Sequence, residues 1–184
     1  KDVATIYQLP ERLHEEGLDY KVCELLGIWS PEPNLSAWRN LTGVLSDDLP
    51  EVHIAIVGKY VDLADSYKSL NEALVHGGVS NQVNVKLDYV DSEAYENDPG
   101  LVKKQLSKVQ GVLVPGGFGK RGVEGKVLAI QYARENQIPY FGICLGMQVA
   151  VMEFARNVAG LKGATSTEFD AECSNPVIDL MYEQ

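Results

Sequence analysis

The chain has 184 residues, 45% of them hydrophobic, and a net charge of −10. So much apolar material excludes a wholly disordered chain, and an acidic surface repels phosphate backbones, which argues against nucleic-acid binding. No apolar run reaches the roughly 20 residues that cross a bilayer, and the first residues lack the pattern of a signal peptide. Cys23, Cys144 and Cys173 fit neither a disulfide framework nor a CxxC zinc pattern, so a cytoplasmic protein with no metal site in this chain is expected.

In chain order, Lys1 to Ile6 reads as extended or loop, Pro10 to Glu16 as a short helix stopping at Gly17, and Tyr20 to Leu26 as a second. Residues 30–50 carry Pro31, Pro33 and Pro50 and the acidic pair Asp47–Asp48, a composition that disfavours long regular elements. We therefore divide the chain into a tail of an upstream domain at 1–28, a linker at 29–50 and a main domain at 51–184.

The pattern changes after Glu51. Val52 to Val57 is a short apolar, β-branched run and reads as a buried strand. Ser66 is a candidate cap for a helix reaching His76, with Gly77–Gly78 as its stop. Val83, Val85, Leu87 and Tyr89 alternate as in a strand, and Asp98–Pro99 opens a helix. Gly111 to Pro115 is a third strand, followed by the turn Gly116-Gly-Phe-Gly119 and a helix from Val123 to Glu135. Pro139 to Ile143 is a fourth strand, turning at Cys144 into a helix over Leu145 to Val158. Strands alternating with helices predict an α/β fold with a doubly wound, mostly parallel sheet and helices on both faces. Ligands of such folds lie beyond the carboxyl ends of the strands, where both glycine-rich turns fall.

Gly142-Ile-Cys-Leu-Gly146 has the form G-x-C-x-G between a predicted strand and a predicted helix, the layout of a nucleophile elbow. The helix N-terminus behind Cys144 favours its thiolate through free N–H groups and partial positive charge. A lone cysteine is more often a core residue, and Cys23 and Cys173, without such a frame, are read that way. The glycines of Pro115-Gly-Gly-Phe-Gly119 allow backbone N–H groups to approach an oxyanion, and Gly117 and Leu145 are the expected donors. Lys120, Arg121, Glu124 and Lys126 read as a charged, solvated helix start. His14, His53 and His76 offer no convincing base for the thiol, although such a nucleophile normally needs one.

Several runs together carry a family resemblance: Gly58-Lys-Tyr60, Asp65-Ser-Tyr-Lys-Ser69, Pro115 to Gly125, Ala133-Arg-Glu-Asn136, Gly142 to Gln148 and Ser166-Thr-Glu-Phe169. On these the chain resembles the CTP synthases: residues 52–184 are similar to the first part of their class I glutamine amidotransferase domain. Lys1 to Tyr7 is similar to the end of their amidoligase domain. The resemblance implies that Cys144 attacks the amide of L-glutamine. It also implies that Gly117, Phe118, Leu145, Gly146, Met147, Gln148 and Glu168 bind that substrate, and that Lys1, Asp2 and Val3 contact ATP. It implies no cofactor in this domain. ATP, UTP and Mg²⁺ would be used by the amidoligase domain, with GTP as activator, and the full-length enzyme would be a homotetramer. The catalytic histidine and glutamate, and an arginine for glutamine, are expected beyond Gln184, so that this stretch alone is expected to be inactive. Competing readings are another cysteine hydrolase of related fold, of peptidase or γ-glutamyl hydrolase type, and a non-catalytic interaction module.

Overall fold

The computed structural model describes residues 3, 5–46, 48–59 and 67–181. They divide into two compact units: residues 1–50 with 75–84, and residues 51–74 with 85–184.

The first unit is helical. A 3₁₀ turn at Ile6–Gln8 leads into α1 (Leu9–Glu15), which carries Pro10 in its first turn, where a missing N–H costs nothing. Gly17 (φ 75°) reverses the chain into α2 (Leu18–Leu26), and Gly27 (φ 63°) ends it. The expectation that residues 30–50 lack a long element does not hold: α3 spans Ser36–Ser46. Pro31, Pro33 and Pro50 flank this helix instead of interrupting it, and the Asn34 side chain accepts from Ser36 N–H at its start (3.0 Å). Asp47 of the acidic pair lies outside the described residues. Tyr7 is buried and its hydroxyl is hydrogen-bonded to His76 Nε2.

The second unit holds the sheet. β1 (Glu51–Gly58), β2 (Asn84–Asp91), β3 (Gly111–Val114) and β4 (Tyr140–Gly142) are ordered β2-β1-β3-β4. β1 and β3 pair in parallel with Ala55 opposite Val112, and β3 and β4 with Leu113 opposite Phe141. The buried runs 55–58 and 111–114 have no polar alternation, as expected for strands covered on both sides. Helices α5 (Ser92–Asn97), α6 (Gly100–Leu106), α7 (Val123–Glu135) and α8 (Leu145–Asn157) follow, with short strands β5 (Thr165–Ser166) and β6 (Pro176–Ile178). α7 packs on α5, α6 and α8, and its Val127, Ile130 and Ala133 join Val114, Val149 and Met152 in the core. The architecture is thus α/β with parallel strands and crossover helices.

Helix α4 (Lys68–Ser80) runs past the predicted stop. Gly77 and Gly78 lie within it, and the turn closes at Gln82, which takes φ 55° while Val83 N–H reaches back to Gly78 O (3.0 Å). This is the left-handed ending helices commonly adopt, filled here by glutamine in place of glycine. The predicted cap, Ser66, lies outside the described residues.

Candidate active site

The strand order creates the site. From β1 the chain passes to β2 on one side, while β3 lies on the other, so the connections leaving β1 and β3 diverge at their carboxyl ends. Lys59 follows β1, Pro115 to Gly119 follow β3, and Cys144 follows β4. Three loops therefore meet at one end of the sheet. Ile143 N–H donates to Val114 O (3.0 Å) and draws the β4 turn against the end of β3.

Cys144 is the residue before α8, with φ 50° and ψ −107°. A non-glycine residue with positive φ is strained, and nucleophile elbows hold such strain. The thiol is free and exposed. Two glycines permit the turn by close approach. A Cβ on Gly142 would meet Gly146 C at 2.5 Å, and one on Gly146 would meet Val114 O at 2.1 Å. The first turn of α8 therefore lies directly on β3 and on the strand it leaves. Tyr140 clamps this contact by donating its hydroxyl to Gly146 O (2.7 Å), and burial raises the pKa of that phenol.

The glycine loop abuts the elbow. A Cβ on Gly116 would stand 3.6 Å from Cys144 Cβ, and one on Gly117 would stand 3.5 Å from the Leu145 side chain. Among the described residues the N–H groups of Gly117 and Leu145 donate to no other group, which suits them to an incoming oxyanion. Leu145 and Gly146 are buried in the helix foot, Gln148 is half-buried, and Met147 and Phe118 are exposed. Glu168 follows β5 and accepts from Gly119 N–H (2.9 Å), so its carboxylate adjoins the glycine loop. Val3 is half-buried in the first unit, and Lys1 and Asp2 lie outside the described residues.

Two lysines were not foreseen here. Lys59 donates to Phe118 O (2.6 Å) and Gly119 O (3.3 Å). Lys126, read as part of a solvated helix start, is 2% exposed and lines a narrow cleft with Gly58, Lys59, Tyr67, Pro115 and Gly117. It stands in the first turn of α7. Desolvation, with Lys59 nearby, pushes its pKa down to about 8, while Glu96 opposes the shift. The unfolded chain, with a lysine pKa near 10.5, keeps a proton that the folded chain releases between about pH 8 and 10.5. Burial of Lys126 therefore penalises folding fully below about pH 8, and the penalty fades as pH rises. Lys126→Met is expected to raise stability at pH 7 by up to about 3 kcal/mol, with the gain vanishing by about pH 10.5. Urea unfolding of both proteins at pH 7 and 10 checks this, and an equal difference at both would refute it.

A roomier cavity, about 620 Å³, lies elsewhere, lined by His53, Leu87, Asp88, Lys104, Lys108 and Val109. Its lining contains no cysteine and neither of the glycine-rich turns, so the chemistry, not the volume, locates the site. His53 pairs with Asp88 (2.9 Å), His14 with Asp19 (2.6 Å), and His76 is engaged by Tyr7. Among the described residues none hydrogen-bonds the Cys144 thiol. No helix of the described residues is long and apolar enough to cross a membrane.

A strained cysteine at a strand-to-helix turn, beside glycine amides and a carboxylate, has the layout of a nucleophile elbow. The profile of "Glutamine amidotransferase class-I" matches residues 62–179, and the chain belongs to that family. Along all of its 184 residues the chain is 59% identical to a CTP synthase of Syntrophus aciditrophicus, covering 34% of that protein. It is 58% identical over 182 residues to the CTP synthase of Maridesulfovibrio salexigens, covering 99% of this chain and 33% of the relative. The chain thus spans about a third of the length of the curated relatives it matches. The solved glutaminase domain of Trypanosoma brucei CTPS, with bound acivicin, superposes with a TM-score of 0.67. It shares 47% identity, over 71% of this chain and 50% of that one.

Proposed function

We propose that this chain is the glutaminase portion of a CTP synthase, supplying ammonia for the ATP-dependent amination of UTP. The observation that carries the reading is the extent of the likeness. The amidotransferase profile matches residues 62–179, whereas identity to CTP synthases continues through residues 1–50 as well. A stand-alone cysteine hydrolase has no use for such a leading segment. In this reading residues 1–28 end an amidoligase domain, with Lys1, Asp2 and Val3 toward ATP, residues 29–50 are the linker, and residues 51–184 form the glutaminase.

The chemistry follows from the residues present. The Cys144 thiolate attacks the side-chain carboxamide carbon of L-glutamine and forms a C–S bond. The carbonyl π electrons move onto oxygen, where the N–H groups of Gly117 and Leu145 receive the charge. As the tetrahedral adduct collapses, the C–N bond breaks and the nitrogen leaves as ammonia after taking up one proton. Water then adds to the γ-glutamyl thioester, releasing glutamate and the thiol. Phe118, Gly146, Met147 and Gln148 wall the substrate, and Glu168 receives its ammonium group in a charge-assisted hydrogen bond. In this reading a histidine–glutamate pair carries the proton from the thiol to the leaving nitrogen. ATP, Mg²⁺, UTP and the activator GTP belong to the full-length enzyme, a cytoplasmic homotetramer.

The test is made on the full-length protein. With UTP, ATP, Mg²⁺ and glutamine present, CTP and glutamate are expected to accumulate in equal amounts. Glutamate formation without CTP would mark a different amidotransferase, and consumption of neither substrate would remove the enzymatic reading.

A further inference from the structure

Lys59 is used in an unusual way for a lysine at the mouth of a site. Among the described residues it pairs with no carboxylate, and its ammonium donates instead to two backbone carbonyls, Phe118 O and Gly119 O. The other end of the same peptide unit is also occupied: Gly119 N–H donates to Glu168 Oε1 at 2.9 Å. The described chain has no cis peptide, so the carbonyl and the N–H of this unit point in opposite directions. A cation and a carboxylate therefore sit at the two poles of one amide, both aligned with its dipole. Each hydrogen bond is charge-assisted and polarises the amide in favour of the other.

We infer that Lys59 is a positioning residue for glutamine recognition: through the Phe118–Gly119 peptide it aims the Glu168 carboxylate at the ammonium group of the substrate. The inference rests on the proposed glutaminase reading and deepens it. Glu168 stands exposed on the loop after β5. Among the described residues Gly119 N–H is the carboxylate's one hydrogen-bond partner, which leaves Oε2 for a cation. Gly119 itself has φ 73°, in the region glycine enters freely, so the peptide before it is easily rotated. Lys59, fixed at the end of a central strand, holds the carbonyl and prevents that rotation. Removing the ammonium frees the peptide to turn its N–H away from Glu168, and the anionic subsite loses its orientation.

The test is steady-state glutamine hydrolysis by the full-length protein carrying Lys59→Met, Lys59→Arg, Glu168→Gln and the Lys59→Met/Glu168→Gln pair. Lys59→Met is expected to raise KM for glutamine about tenfold, with kcat changed less than about twofold, as for loss of one charge-assisted anchor. Lys59→Arg is expected to recover most of the loss. In the Glu168→Gln background Lys59→Met should add less than about twofold, since both changes break one relay. Iodoacetamide alkylation of Cys144 without substrate should be unchanged, which general damage to the site would not allow. Lys59→Gln gives the same comparison if Lys59→Met fails to fold. Independent, multiplying effects of the two substitutions, or a fall in kcat at constant KM, would overturn the inference alone. A full-length wild type that leaves glutamine untouched would overturn the glutaminase reading, and this one with it.

Discussion

Cys144→Ala in the full-length protein is expected to abolish glutamine-dependent CTP formation, by at least about a thousandfold, while CTP formation from added ammonium stays within about twofold. The expectation follows from the position of the thiol. It is exposed on the first residue before α8, and its removal deletes one sulfur atom without opening a core cavity. Alanine retains the Cβ that faces Gly116, so the turn and the glycine loop keep their contact. What disappears is the thiol that, in the proposed reading, forms the covalent bond to the carboxamide carbon. The remaining N–H groups can bind substrate but offer no nucleophile, and unassisted water is far slower. Following CTP with glutamine and, separately, with ammonium as nitrogen donor checks both halves. A variant that still uses glutamine normally would refute the elbow and leave an interaction module as the leading reading.

The second large effect concerns the foot of α8. Gly146→Ala is expected to destabilise the fold by more than about 4 kcal/mol, because the new methyl would lie 2.1 Å from Val114 O and 2.9 Å from Val114 C. Neither atom can yield. Val114 belongs to β3, which is paired on both sides, and its carbonyl accepts from Ile143 N–H. Relief would require α8 to lift from the sheet, carrying Leu145 N–H away from Gly117 and breaking the Tyr140 hydroxyl bond to Gly146 O. Soluble yield and thermal unfolding report the damage. Gly77→Ala is the control: a Cβ there meets nothing within 4 Å, inside a helix, and should be neutral or stabilising by about 0.5–1 kcal/mol. Equal unfolding temperatures for Gly146→Ala and wild type would show that the close approach is not needed.

The parts legible in the sequence were those governed by local rules. The run 111–114, the helix from Val123 to Glu135 and the turn at Cys144 each announce themselves through β-branched residues, periodicity and paired glycines, and the structure holds all three. α5 was missed because it is six residues long, too short for a helical period, and rests on the Asp91 side chain accepting from Glu93 N–H. α4 outran Gly77–Gly78 because a glycine pair lowers helix propensity without forbidding the helix, and Gln82 supplied the ending. The turn at Cys144 and the glycine loop against it could be placed from motif and order. Lys59 could not, since a lysine just after an apolar strand carries no mark of the carbonyls it will meet in the folded chain. For Lys126 one signal existed: it lies three and four residues from Val123 and Ile130, on the apolar stripe of α7.

The sheet order also bears on how the molecule assembles. The chain between Ile54 of β1 and its partner Gly111 is about twice as long as that between Val112 of β3 and its partner Tyr140. Loop closure grows slowly with length, so this doubling adds only about 0.6 kcal/mol, but it falls before any pairing is gained. The β3–α7–β4–α8 segment is therefore expected to pair first and β1 to dock onto it later, an order that pulsed hydrogen exchange during refolding would check. The elbow then takes shape within the early segment, while Lys59 arrives with the late strand. Reactivity of the thiol and orientation of the glycine loop would consequently mature at different moments during refolding, the second waiting on the slower, more distant pairing.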